Sequence, residues 1–257
     1  MPPPNGVHLG PILRPILNSA SWSRDSVFPA TQNWAEEVER VLSFLDTQGV
    51  LKDFWPRLIA RELPGALAEA RTGFFFHRNG FRILEWQPEA VPGRPGDLEV
   101  QWRDTPAIFI EVKGPGWEGE LSPAEIADGR QHGEKYINAE ARSVGPISSM
   151  VYAMEKALPK LNPDRSNLVV VVDDLFISPT ELPEGFLSSS LAHEIAAARF
   201  HPIGALFLIN PISYGGPIEY RKYFVPNPNA VTALAPTVAQ GLIMGNADPQ
   251  GPRWSRE

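Results

Sequence analysis

Asp97 and the run Glu111-Val112-Lys113, fourteen residues further on, are the side chains whose types and spacing best suit chemistry. They sit in Arg94-Pro95-Gly96-Asp97-Leu98-Glu99-Val100 and in Ile108-Phe109-Ile110-Glu111-Val112-Lys113-Gly114. The second stretch alternates as a strand does: Ile108, Ile110 and Val112 share one face, and Phe109, Glu111 and Lys113 share the other. A carboxylate and an ammonium on one face of an otherwise apolar strand are costly to bury, so their presence asks for a use. With Asp97 entering from the preceding strand, two carboxylates and a lysine can hold a divalent cation and activate a water beside it.

The elements that must position these groups follow from periodicity and breakers. Residues 1–30 are proline-rich and aperiodic and read as an arm. Asn33 is placed to cap a helix reaching Thr47, with Trp34, Val38, Val41, Leu42 and Leu45 on one face. A second helical stretch, Leu51 to Leu63, is disturbed by Pro56, and Pro64 suits the first turn of a third helix reaching Arg78. Gly80 ends that helix, and Phe81 to Trp86 reads as a strand. A Pro/Gly loop from Gln87 to Gly96 leads to strand Asp97 to Trp102, and the turn Asp104-Thr105-Pro106 leads to strand Ala107 to Lys113. So short a connection favours an antiparallel pair.

After an irregular stretch from Gly114 to Gly145, Pro146 to Leu161 repeats as a helix and Asn167 to Val172 as an apolar strand buried on both faces. A right-handed crossover then makes that strand parallel to Ala107–Lys113. A helix from Pro183 to Phe200, a strand from Ile203 to Ile209 and an edge strand from Tyr220 to Val225 extend the layer. The expected division is an arm (1–30), an α/β domain (31–225) and an irregular C-terminal tail (226–257).

Composition narrows the classes. Hydrophobic residues make up 43% and aromatics 10%, as in a globular core, and cysteine is absent, which excludes disulfides, thiolate metal sites and cysteine nucleophiles. No stretch is long and apolar enough to span a membrane, and the N-terminus lacks a signal-peptide pattern, so the chain reads as soluble and cytoplasmic. The net charge of −7 counts against binding nucleic acid with the whole surface, and leaves any phosphate-binding surface as a local patch.

The order helix, strand, Asp-bearing strand, Glu-x-Lys-bearing strand, helix, strand, with Gly96-Asp97 and Glu111-Val112-Lys113 in place, resembles the PD-(D/E)XK nuclease superfamily. The resemblance covers roughly residues 60 to 175. It implies a restriction-endonuclease-like fold, a three-layer α/β/α sandwich around a mixed central sheet. It also implies Mg2+-dependent cleavage of DNA, endonucleolytic and leaving a 5′-phosphate, with Mn2+ as a substitute cation. Asp97 and Glu111, with the backbone carbonyl of Val112, would ligate the metal, and Lys113 would position or deprotonate the attacking water. Glu69 matches the glutamate many members carry on the helix before the first core strand, and would orient a water or help hold a second metal; Glu62, across Pro64, fits less well. The family places proline directly before the aspartate, whereas here Gly96 intervenes after Pro95. Many members act as homodimers.

Downstream, Arg130, Gln131, Lys135 and Tyr136, with Arg142, form a basic and aromatic cluster able to grip phosphates and stack a base, although Glu134 and Glu140 are interleaved. Lys156 and Lys160 suit either the DNA backbone or, better, a solvated helix face. Gly114-Pro115-Gly116-Trp117-Glu118-Gly119 matches a dinucleotide fingerprint in form only, because Pro115 and the absence of an adjoining helix argue against it. Asp173-Asp174 suits a loop start or helix cap better than a metal site. The histidines lack metal spacing, and Ser188-Ser189-Ser190 lacks the glycines of a nucleophile elbow. The expected function is therefore a metal-dependent nuclease acting on DNA, with RNA as a further substrate to test. The rival is a non-catalytic nuclease-like module that binds nucleic acid or a protein.

Overall fold

The sheet is built on the runs that sequence periodicity marks as buried. In the computed structural model, which describes residues 7–19, 31–60, 63–114, 146–172, 184–212 and 217–244, eight strands form. They are β1 (Arg82–Trp86), β2 (Glu89–Val91), β3 (Arg94–Pro95), β4 (Leu98–Gln101), β5 (Ile108–Lys113), β6 (Ser166–Val172), β7 (Ala205–Ile212) and β8 (Glu219–Pro226). Six of them make one mixed sheet in the order β1-β4-β5-β6-β7-β8. β4 pairs antiparallel with β5, as the short turn requires, and β5, β6 and β7 run parallel. β1 and β8 are antiparallel edges.

The helices are α1 (Leu13–Ser19), α2 (Gln32–Thr47), α3 (Leu51–Leu58), α4 (Leu63–Arg78), α5 (Pro146–Ala157), α6 (Glu184–Ile195) and α7 (Pro236–Met244). Alternation along the strands divides the core. Ile108, Ile110, Val112, Leu168, Val170 and Phe207 pack against Ala68, Phe75 and Phe76 of α4 and against Val238 and Leu242 of α7. Phe109, Val169, Val171, Leu206 and Leu208 pack against Met150, Ala153, Met154 and Ala157 of α5 and against Leu191 and Ile195 of α6. The result is an α/β protein whose mixed six-stranded sheet is flanked by helices on both faces. A third apolar cluster joins α1, α2, α3 and the outer side of α4.

Several local expectations change. α2 begins at Gln32, and the hydroxyl of Thr31 rather than Asn33 caps it, accepting from the Trp34 N–H at 3.2 Å. α3 stops at Leu58, five residues short of Leu63. Pro56 lacks the N–H that continues a helical ladder. The Pro/Gly loop after Gln87 contains the β2–β3 hairpin, turned at Gly93 with φ +70. The arm is not wholly aperiodic: α1 buries Leu13 and Ile16 against α2, and Glu39 accepts from the N–H groups of Ile12 and Leu13 at 3.0 and 2.8 Å. The expectation of an irregular tail fails at α7, whose Val238 and Leu242, four residues apart, lie on one face and are buried. Pro, Gly and Asn around that short helix mask its period. No helix among the described residues is long and apolar enough to cross a membrane.

Candidate functional site

β5 is a central strand, so its side chains are buried whatever their charge. Glu111 is wholly buried, on the face it shares with Phe109. β4 begins only at Leu98, one residue after Asp97. The edge of β5 beyond that point therefore lacks a main-chain partner from β4, and the Asp97 side chain supplies one. Asp97 donates its own N–H to the Ile110 carbonyl (3.1 Å), and its Oδ2 accepts the Val112 N–H (2.6 Å). The carboxylate is thus fixed where the two strands part. In a strand the C=O of a residue leaves on the same edge as its N–H, so the Val112 carbonyl also faces the Asp97 side.

Gly96, the residue that interrupts the expected proline–aspartate step, has a packing reason. A Cβ at that position would overlap the ring of buried Phe109. The Gly96 N–H also donates to the Pro88 carbonyl at 2.8 Å, tying the strand entry to the hairpin. Gly96→Ala is expected to cost about 1–3 kcal/mol through overpacking, read as a lower thermal midpoint. A midpoint equal to wild type would show that the ring gives way freely.

Two lysines converge on Glu111. Lys113, two residues along the same strand face, ion-pairs with Oε1. Lys160 reaches the same oxygen at 2.8 Å from a 3-10 turn, Leu158–Lys160, that closes α5. Oε2 is buried and has no hydrogen-bond partner among the described residues. Glu69, on α4, is buried and gripped in bidentate fashion by Arg57 of α3, with Nη1 to Oε2 at 2.6 Å and Nη2 to Oε1. Glu111 and its two lysines thus sit beside Asp97 at the open ends of β4 and β5, and the Glu69–Arg57 pair lies near enough for the charges of Asp97 and Lys160 to act on Glu69.

The electrostatics follow from burial and like charge. Burial pushes the Asp97 carboxyl up to about 6, and the charge of Glu111 adds to the rise; Lys160, the Val112 N–H and Lys113 pull it back. Glu69 is also raised, first by burial and also by the Asp97 charge, with Arg57 and Lys160 opposing. Burial acts to lower Lys160, but its hydrogen bond to Glu111 and the charges of Asp97, Glu111 and Glu69 outweigh this and raise it.

The structure thus brings Glu69, Asp97, Glu111 and Lys113 into one neighbourhood, with one change of part. Glu69 is committed to Arg57, and among the described residues no group of three or more His, Asp or Glu side chains could hold a metal ion. The remaining donor set is two carboxylates and a carbonyl. It fits a hard divalent cation on two counts: a buried Glu111 oxygen without a partner among the described residues, and two buried carboxylates that repel each other. Arg57 is the side chain that sequence reasoning missed, and Lys160, expected on a solvated helix face, turns inward onto buried Glu111 instead. No spacing signals them, since each joins the site through tertiary packing, although the buried Leu161 directly after Lys160 hinted that this end of α5 turns inward. Arg130, Gln131, Lys135 and Tyr136, together with Trp117, Asp173 and Asp174, lie outside the described residues.

Comparison by sequence matches the chain to no family model and to no curated protein. Among solved structures it is similar to Pyrococcus furiosus SfsA, determined in complex with Ca2+, at 13% identity and a TM-score of 0.28. The match covers 66% of this chain and 65% of that one, just under two thirds of SfsA. At that identity and score it carries no residue role across, and the side chains described above bear the functional assignment.

Proposed function

We propose that the protein is a metal-dependent nuclease that hydrolyses phosphodiester bonds of DNA, cutting within the strand and leaving a 5′-phosphate. One observation carries this: Asp97 and Glu111, both buried at the parting of two strands, lie near enough for their charges to interact, with one Glu111 oxygen lacking a partner among the described residues and two ammonium groups on the other. Asp97, Glu111 and the Val112 carbonyl would hold Mg2+ or Mn2+. Such a cation, when bound, lowers the pKa of a water and offsets charge developing on phosphorus. Lys113, whose side chain is partly exposed, orients the attacking water and meets the phosphate. Glu69, tied to Arg57, sets the field around Asp97 without serving as a ligand. Arg130, Gln131, Lys135 and Tyr136 are proposed to grip the strand beyond the scissile bond.

Purified protein with Mg2+ or Mn2+ is expected to nick plasmid DNA, and EDTA to stop it. Lys113→Ala is expected to lower the rate at least ~100-fold with the fold intact, the share usual for a positioned proton-transfer group. A side-by-side panel of plasmid, single-stranded DNA and RNA ranks the substrates. Survival of all three through prolonged incubation with Mn2+ would sink the proposal.

That result would favour the second assignment, a non-catalytic module binding nucleic acid or a protein. Its support is that Glu111 already faces two ammonium groups and Glu69 a bidentate arginine. Such a module would bind its partner equally well in EDTA.

A further inference from the structure

Lys113 and Lys160 contact the same oxygen of Glu111, and the other oxygen is buried with no hydrogen-bond partner among the described residues. A carboxylate needs no second ammonium for neutrality, so the second lysine also answers the charge of Asp97 beside it. Its placement is not accidental packing. The turn that carries Lys160 is held to the hairpin by the Arg94 guanidinium, which donates to the Pro159 carbonyl at 3.1 Å. About a third of the Lys160 side chain is exposed while its ammonium lies on buried Glu111.

Charge accounting says what it is for. Asp97 and Glu111 are balanced by Lys113 and Lys160, and Glu69 is balanced by Arg57. One divalent cation adds two positive charges, which an anionic phosphodiester and an attacking hydroxide offset. A second divalent cation would add two more, and Glu69, the third carboxylate of the cluster, is already held by Arg57. Resting on the nuclease assignment, we propose that the site takes a single divalent cation, on Asp97 and the other Glu111 oxygen, Oε2, and that Lys160 fills the office of a second one by binding a phosphate oxygen of the substrate. Lys160 leaves Glu111 for the phosphate when the cation arrives, while Lys113 remains on the strand beside the reacting water.

The test measures metal binding and cleavage separately. Titration of the full chain with Mn2+, followed by the electron paramagnetic resonance signal of free Mn2+, is expected to saturate at one ion per chain. Lys160→Met keeps the stem and removes the charge. It is expected to bind Mn2+ at least as tightly as wild type, because a competitor for Glu111 is gone. Its cleavage of an end-labelled oligonucleotide should fall by ~10–100-fold, the worth of a charge-assisted hydrogen bond, with Lys160→Arg recovering part of the loss. Two Mn2+ ions per wild-type chain would overturn the proposal, and that measurement needs no variant to fold. A Lys160→Met protein that cleaves like wild type would overturn the role of Lys160 and leave the nuclease assignment standing. A wild-type chain that neither binds Mn2+ nor cleaves any nucleic acid would overturn both.

Discussion

Asp97→Asn is expected to lower phosphodiester cleavage at least ~1000-fold, because it removes a metal ligand whose charge stabilisation is worth several kcal/mol and each ~1.4 kcal/mol is tenfold. The same change is expected to leave the metal-free protein as stable as wild type at neutral pH, or more so. An asparagine oxygen still accepts from the Val112 N–H that Asp97 Oδ2 now accepts at 2.6 Å, so the strand edge keeps its partner. What disappears is a buried negative charge beside Glu111. Cleavage assays and thermal melts on one preparation decide the matter. A variant that melts well below wild type in EDTA would mark Asp97 as a structural post and not a ligand.

The pH dependence of this gain has a definite sign. The folded protein holds the Asp97 proton up to about 6, whereas an ordinary aspartate releases it near 3.8. Between those values the unfolded chain binds fewer protons than the folded one, so the Asp97 contribution to stability falls as pH rises. It is fully present below about 4 and lost above about 6, a difference of about 3 kcal/mol at ~1.4 kcal/mol per pH unit. In EDTA the stability advantage of Asp97→Asn should therefore open between pH 4 and 6 and stay level above. Mg2+ should close it, since a cation between Asp97 and Glu111 favours the charged form of both.

The same carboxylates show how much could be seen beforehand. The alternation Ile108 to Lys113 set Phe109, Glu111 and Lys113 on one face and Ile108, Ile110 and Val112 on the other, and the sheet keeps that division. The nearly all-apolar run ending at Val172 gave away a strand covered on both sides and parallel to β5. These are short-range patterns written in neighbouring residues. Lys160 and Arg57 are different in kind. Each meets its acid through helix packing, Arg57 across the turn from α3 to α4 and Lys160 across the crossover from β5 to the end of α5, and no periodicity encodes such a meeting. The helices Leu13–Ser19 and Pro236–Met244 escaped for another reason: each is under three turns long, too short for its period to stand out among Pro, Gly and Asn.

Replacing Arg71 with leucine is expected to cost about 3–5 kcal/mol of stability, because it leaves Glu37 as an uncompensated charge inside the protein. Both residues are almost wholly buried. The Arg71 Nε donates to Glu37 Oε1 at 2.9 Å and its Nη2 to Oε2 at 2.7 Å, while the Tyr220 hydroxyl donates to Oε1. The cluster thus ties α2, α4 and the edge strand β8 together, and Arg71 lies two residues from Glu69 on α4. Breaking it is expected to lower the thermal midpoint by roughly 10 °C, given ~2–4 °C per kcal/mol for a chain of this size. Glu37→Leu should do similar damage by stranding the arginine. The double variant, with both charges gone and apolar groups in their place, should recover most of the loss, since a buried ion pair contributes little over a well-packed apolar one. Tyr220→Phe removes only a hydrogen bond and should cost ~1–2 kcal/mol. Additive losses in the double variant would mean that the two side chains act separately, and that α4 is held over the sheet by its apolar face alone.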